Sequence, residues 1–148
     1  MIKLKKYNHK TILNKRITVI GLGSSGKAVS ILANQLGAIV YASDSNSSEE
    51  IISNAMKLMH DHHIATETGI HSKKIYDSDL WIVSPGISPK SKIIKKALNH
   101  NIPIVGEIEF ASWFTKFPII GITGSNGKTT TTYILNQMFE EAQKAIVI

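Results

Sequence analysis

The chain has 148 residues, 43% of them hydrophobic and 19% charged, a balance that excludes a disordered segment and suits one soluble globular domain with part of a second. It contains no cysteine, which rules out disulfides and thiolate metal sites and fits a reducing cytoplasm, and no apolar run approaches the ~18 residues of a membrane span. The net charge of +6 favours anionic partners, but no aromatic residues are interleaved with the lysines for base stacking, so nucleotides rather than nucleic acids are the expected anions.

The first segment, residues 1–15, carries Lys3, Lys5, Lys6, Lys10 and Lys15, and the first acid is Asp44. With no apolar core after the basic residues it is not a secretory signal; it reads as a solvated basic lead-in. "RITVIG" (16–21) is a short β-branched run ending in glycine, the pattern of a buried strand. "KAVSILANQLG" follows with helical spacing and a glycine stop, and "AIVYASD" (38–44) is a second strand. In "SSEEIISNAMKLMHDHH", Ser47 stands three residues before Glu50 as in a capping box. Ile51, Ile52, Ala55, Leu58 and Met59 then share a helical face.

A weaker strand is expected at 64–68 and a convincing one at "LWIVSPG" (80–86). "SKIIKKALNHN" is a short amphipathic helix, "IPIVGE" another strand, and "EIEFASWF" a helix. Strands alternating with helices imply an α/β fold, a Rossmann-like parallel sheet with helices on both faces. After "TKFP" a new strand, "IIGIT", begins a second unit, followed by a loop, a helix from about Lys128 and a strand "AIVI". The expected domains are therefore the lead-in 1–15, a nucleotide-binding domain 16–116 and the start of a second domain, 117–148.

Two glycine-rich loops join strand to helix. In "GLGSSG", Gly21, Gly23 and Gly26 answer three needs: a tight turn, close approach of backbone to phosphate, and close helix–strand packing. The helix start adds free N–H groups and the positive end of its dipole. Asp44, at the end of the next strand, is placed to accept hydrogen bonds from a ribose or a base. In "GITGSNGKTTTT", Gly127, Lys128 and Thr129 match the end of a phosphate loop: backbone approach, a charge for the β/γ-phosphates and a hydroxyl for Mg²⁺. Ile122 stands where the usual pattern has its first glycine.

"TGSNGKTT" resembles the ATP loop of the Mur ligases, ATP-dependent amide-bond formers of peptidoglycan synthesis, and of their folylpolyglutamate relatives. The family pattern G-[ST]-N-G-K-[ST] accounts for Ile122. "VIGLGSSGKAVS", "VSPGIS" and "VGEIEF" are most similar to the members that join D-glutamate to UDP-N-acetylmuramoyl-L-alanine. The resemblance implies that Gly23, Ser24, Ser25, Asp44, Ser45 and Gly86 meet the UDP end of that substrate; Asn46 stands where some members carry arginine. It implies that Gly124, Ser125, Asn126, Gly127, Lys128, Thr129 and Thr130 bind ATP, with Lys128 and Thr129 catalytic and Thr129 a Mg²⁺ ligand. The chemistry it implies is attack of the substrate carboxylate on the γ-phosphate of ATP to give an acyl phosphate, from which the amine of D-glutamate displaces phosphate, in a monomeric cytoplasmic enzyme that uses neither nucleic acid nor membrane.

Such ligases are much longer than this chain. Its expected place is the N-terminal part of one, inactive alone. Two alternatives are a stand-alone nucleotide-binding Rossmann module without catalysis and a fragment of an NAD-dependent oxidoreductase, although hydride transfer has no use for the Lys128–Thr129 loop. His60, His62 and His63 invite a metal reading, but histidines near a helix C-terminus also suit its dipole. Glu107 and Glu109 suit a helix N-terminus better than a catalytic pair. Trp81 and Trp113 are read as packing residues.

Overall fold

The computed structural model describes residues 9–144; the expected strand at 145–148 and the lysines of residues 1–8 lie outside them. The chain divides into two compact units, residues 1–115 and 116–148.

In the first unit, β1 (Arg16–Ile20), β2 (Ile39–Asp44), β3 (Ala65–Thr68), β4 (Leu80–Val83) and β5 (Ile104–Gly106) form one sheet in the order β3-β2-β1-β4-β5. Every neighbouring pair is parallel. The two-residue period of a strand sorts its side chains onto two faces. Ile17, Val19, Leu80 and Ile82 lie with Val29 and Ala33 of α2 (Ser24–Gln35), Ile51, Ala55 and Leu58 of α3 (Glu49–His62) and Phe110 of α5 (Glu107–Ser112). Ile20, Trp81 and Val83 turn the other way, against Ile94 and Ala97 of α4 (Lys92–Asn99) and Ile75 of a 3-10 turn at Lys73–Tyr76. Helices therefore cover both faces, as the sequence pattern predicts. Trp81 is fully buried, and its indole N–H donates to Ile75 O.

Several local expectations shift. Helix α2 starts at Ser24, three residues before the expected start, because the glycine loop itself turns into the helix. The cap of α3 is Ser48 rather than Ser47; its hydroxyl accepts from Ile51 N, so no Glu completes a capping box. The lead-in is not solvated throughout. A short helix, α1 (His9–Ile12), ends on Ile12, which is 1% exposed in the main core. Asn14 N then bonds Gly37 O, and Ile39 N bonds Lys15 O.

In the second unit, helix α6 (Lys128–Glu141) follows the second loop. Residues 119–123 form no strand. A strand is held by ladder bonds to a neighbour, and the described residues of this unit contain no second strand. Among the described residues no helix is long and apolar enough to cross a membrane.

Candidate nucleotide-binding site

The strand order reverses direction at β1: β2 and β3 lie on one side of it, β4 and β5 on the other. Open α/β sheets bind ligands at such a switch point, outside the carboxyl ends of the strands. The loops there are "GLGSSG" after β1 and "SPGIS" after β4.

Each glycine of the first loop meets a different constraint. Gly21 has φ +106°, and a Cβ on it would stand 2.4 Å from Ser84 Oγ. A Cβ on Gly26 would lie 2.0 Å from Gly21 O, so only glycine lets α2 sit this close to β1. A Cβ on Gly23 would meet nothing within 4 Å. This middle glycine caps α2 with no side-chain hydrogen bond, and the first turn carries no acid. Ser24 and Ser25, beside it, are exposed. The start of α2 thus offers amide donors on an open side of the loop.

Asp44 ends β2 and reaches this loop, its Oδ2 accepting from Leu22 N at 2.8 Å. Its Oδ1 accepts from Asn46 N, also at 2.8 Å, and Asn46 Oδ1 accepts from Ser48 N. The carboxylate therefore braces the loop and the β2–α3 turn. It keeps lone pairs for a ligand, since two oxygens offer about four sites. Ser45 is exposed beside it, and Gly86 is exposed in the turn closed by Ile87 N to Ser84 O. The structure thus brings Gly23, Ser24, Ser25, Asp44, Ser45 and Gly86 to one end of the sheet.

Four residues that sequence reading did not place in the site underlie it. Asn54 of α3, only 6% exposed, donates to Leu22 O at 2.9 Å and accepts from Lys27 Nζ at 3.0 Å. Ser84 donates to Oε1 of the buried Glu107. Glu109 instead accepts from Trp113 Nε1, so the two glutamates do not form a pair. No local pattern announces these contacts, because each partner lies more than twenty residues away, Lys27 of α2 from Asn54 among them.

Ser43, fully buried, carries a second network. Its carbonyl accepts from Gly21 N, while its hydroxyl lies 2.7 Å from both Glu67 Oε1 and His71 Nδ1. Burial would raise the Glu67 carboxyl, but hydrogen bonds from Ser43, Ser72 and Tyr41 outweigh it and hold the group below its ordinary 4.5. The one hydroxyl proton of Ser43 goes to that carboxylate, so His71 Nδ1 carries a proton and donates to Ser43. Burial lowers the His71 pKa, opposed only in part by Asp44 and Glu67.

The second loop stands in the other unit. Gly124 (φ +155°) and Gly127 (φ +79°) adopt backbone that favours glycine, and Gly127 caps α6. Lys128 Nζ donates to Gly124 O at 2.5 Å. Ser125, Asn126, Thr129 and Thr130 are exposed around the helix start, whose first turn carries no acid. His60 and His62 occupy the last turn of α3, and among the described residues no group of three His, Asp or Glu side chains could hold a metal.

Residues 16–93, more than half of the chain, match the MurD N-terminal domain. The chain belongs to the MurD N-terminal domain family. Residues 122–148 match the Mur ligase middle domain. A UDP-N-acetylmuramoylalanine--D-glutamate ligase of Chlorobium chlorochromatii is 40% identical over 129 residues, which are 87% of this chain and 27% of that protein. A ligase of the same name from Streptococcus uberis is 36% identical over 141 residues, 94% of this chain and 31% of that protein. The chain thus spans about a quarter to a third of these relatives' lengths.

Two solved structures share the fold. UDP-N-acetylmuramate:L-alanyl-gamma-D-glutamyl-meso-diaminopimelate ligase from Neisseria meningitides has a TM-score of 0.58 at 20% identity, covering 86% of this chain and 40% of its own. UDP-N-acetylmuramate-alanine ligase from Thermotoga maritima has a TM-score of 0.57 at 24% identity, covering 88% and 30%.

Proposed function

We propose that residues 16–116 hold the UDP end of UDP-N-acetylmuramoyl-L-alanine and that residues 117–148 begin an ATP-binding domain. Both serve an ATP-dependent ligase that joins D-glutamate to that substrate. The observation that carries this reading is the first loop. Gly21 and Gly26 press β1 and α2 together, Gly23 leaves the helix start open, and Asp44 braces the loop from the next strand. A diphosphate suits the amide donors and positive dipole of α2, while Asp44, Ser45 and Gly86 border the same strand ends for the nucleoside.

The second loop fits ATP with Mg²⁺ on its own geometry. Glycine backbone at 124 and 127 precedes an acid-free helix start, and a Cβ on Gly127 would meet nothing within 4 Å. Gly124–Thr130 would hold the phosphates, Lys128 would neutralise their charge, and the Thr129 hydroxyl would ligate Mg²⁺. Bound ATP supplies the phosphoryl group that activates a carboxylate; these residues position it.

The test is thermal unfolding of the chain with UDP-N-acetylmuramoyl-L-alanine, and separately with NAD. A ligand at a hundredfold excess over its dissociation constant adds roughly 2.7 kcal/mol. The UDP ligand is expected to raise the melting temperature and NAD to leave it unchanged. A shift with NAD alone would favour an oxidoreductase instead.

A further inference from the structure

We infer that Asn54 of α3 is a positioning residue for the diphosphate: through Leu22 it aims the Gly23 amide at the ligand. The inference rests on the UDP reading above. Leu22 is held at three points. Its side chain is fully buried, its N–H donates to Asp44, and its carbonyl accepts from Asn54. The carbonyl of Leu22 and the N–H of Gly23 belong to one trans peptide and point in opposite directions. Asn54 draws the carbonyl toward α3, so the Gly23 N–H faces the other way. The Asp44 contact works by the same rule on the preceding peptide: with Leu22 N–H turned to Asp44, Gly21 O is turned to α2, where it would lie 2.0 Å from a Cβ on Gly26.

The orientation of the Asn54 amide is set by its two partners. Leu22 O requires a donor and the Lys27 ammonium requires an acceptor, so a flipped amide would lose both bonds. The amide thereby ties three things together: helix α3, the loop peptide, and the Lys27 cation in the second turn of α2.

Calorimetric titration with UDP and with uridine separates this role from plain stability, because only UDP reads the phosphate contacts. Asn54→Leu removes both hydrogen bonds at similar size, and Asn54→Ala removes them without adding charge or bulk. Misdirecting one donor to a charged ligand weakens binding by about tenfold or more. Each variant is therefore expected to lose about tenfold in the UDP-to-uridine affinity ratio, with uridine affinity itself little changed. If Asn54→Leu does not fold, Asn54→Ala alone decides. A wild-type ratio retained by the variants overturns the inference and leaves the UDP reading standing, even if their melting temperatures fall. A wild-type chain that binds UDP no better than uridine overturns both.

Discussion

The amide of Leu22 donates to Oδ2 of Asp44 across 2.8 Å, joining the glycine loop after β1 to the last residue of β2. An acid at this position is usually read for what it offers a ligand. Here it also holds the loop, so its removal acts on the site twice.

Asp44→Ala should weaken binding of UDP-N-acetylmuramoyl-L-alanine by about tenfold or more, since a lost hydrogen bond to a charged group costs about 1.5–3 kcal/mol. Asp44→Asn can keep the Leu22 contact through its carbonyl oxygen and should lose less. Calorimetry on both variants checks the order. Identical titrations for wild type and Asp44→Ala would return Asp44 to an ordinary strand-end acid.

The outer and middle glycines should respond oppositely. Gly26→Ala drives a methyl against Gly21 O and should cost at least the roughly 1–3 kcal/mol of an overpacked core, measured by urea unfolding. Gly23→Ala meets open space at φ −62°, so the fold should keep its stability while UDP affinity falls. Equal stability of the two variants would contradict this division of labour.

Ile12→Ala should destabilise the first unit by about 2–5 kcal/mol, as for other fully buried large-to-small changes. Chemical denaturation tests it. A change under 0.5 kcal/mol, the range of ordinary surface substitutions, would mean that the segment before β1 does not pack as described.

Acid should weaken the fold through His71. Its folded pKa lies below its ordinary 6.5, so the unfolded chain binds more protons as the pH falls through that value. The His71 contribution is complete above about 6.5 and declines as the pH drops toward the depressed folded value. Glu67, held below 4.5, adds a second loss at lower pH with the same sign. Ser43 and Asp44 on β2 and Glu67 on β3 are the groups that act on His71. His71→Gln should flatten the decline between pH 7 and 5 in unfolding experiments; parallel curves would remove His71 as its source.

Trypsin should shorten the chain to a core ending near Lys116. No residue of α6 is buried, and Phe117, Ile119, Ile120, Tyr133, Ile134 and Met138 are exposed. Segments with few buried contacts open most readily. Mass spectrometry of the digest decides: survival of residues 128–141 beyond the loss of β1 would reverse the expected order.

The sheet, its two helical layers and both glycine loops were legible in the sequence because each rests on local chemistry. A strand next to buried neighbours needs β-branched runs such as Arg16–Ile20, and a helix needs its apolar residues on one face. A loop that turns into a helix needs glycine where its backbone takes positive φ, as at Gly21 and Gly127. What only the tertiary structure decided are the partners. Asn54 reads as one more polar residue of an amphipathic helix until α3 lies against Leu22. Glu107 reads as a helix-start acid until Ser84 faces it, and Ile12 as part of a basic tail until the core closes over it. Residues 119–123 have the composition of a strand, yet they form none, because a strand is completed by a neighbour's hydrogen bonds and no run of side chains can supply them.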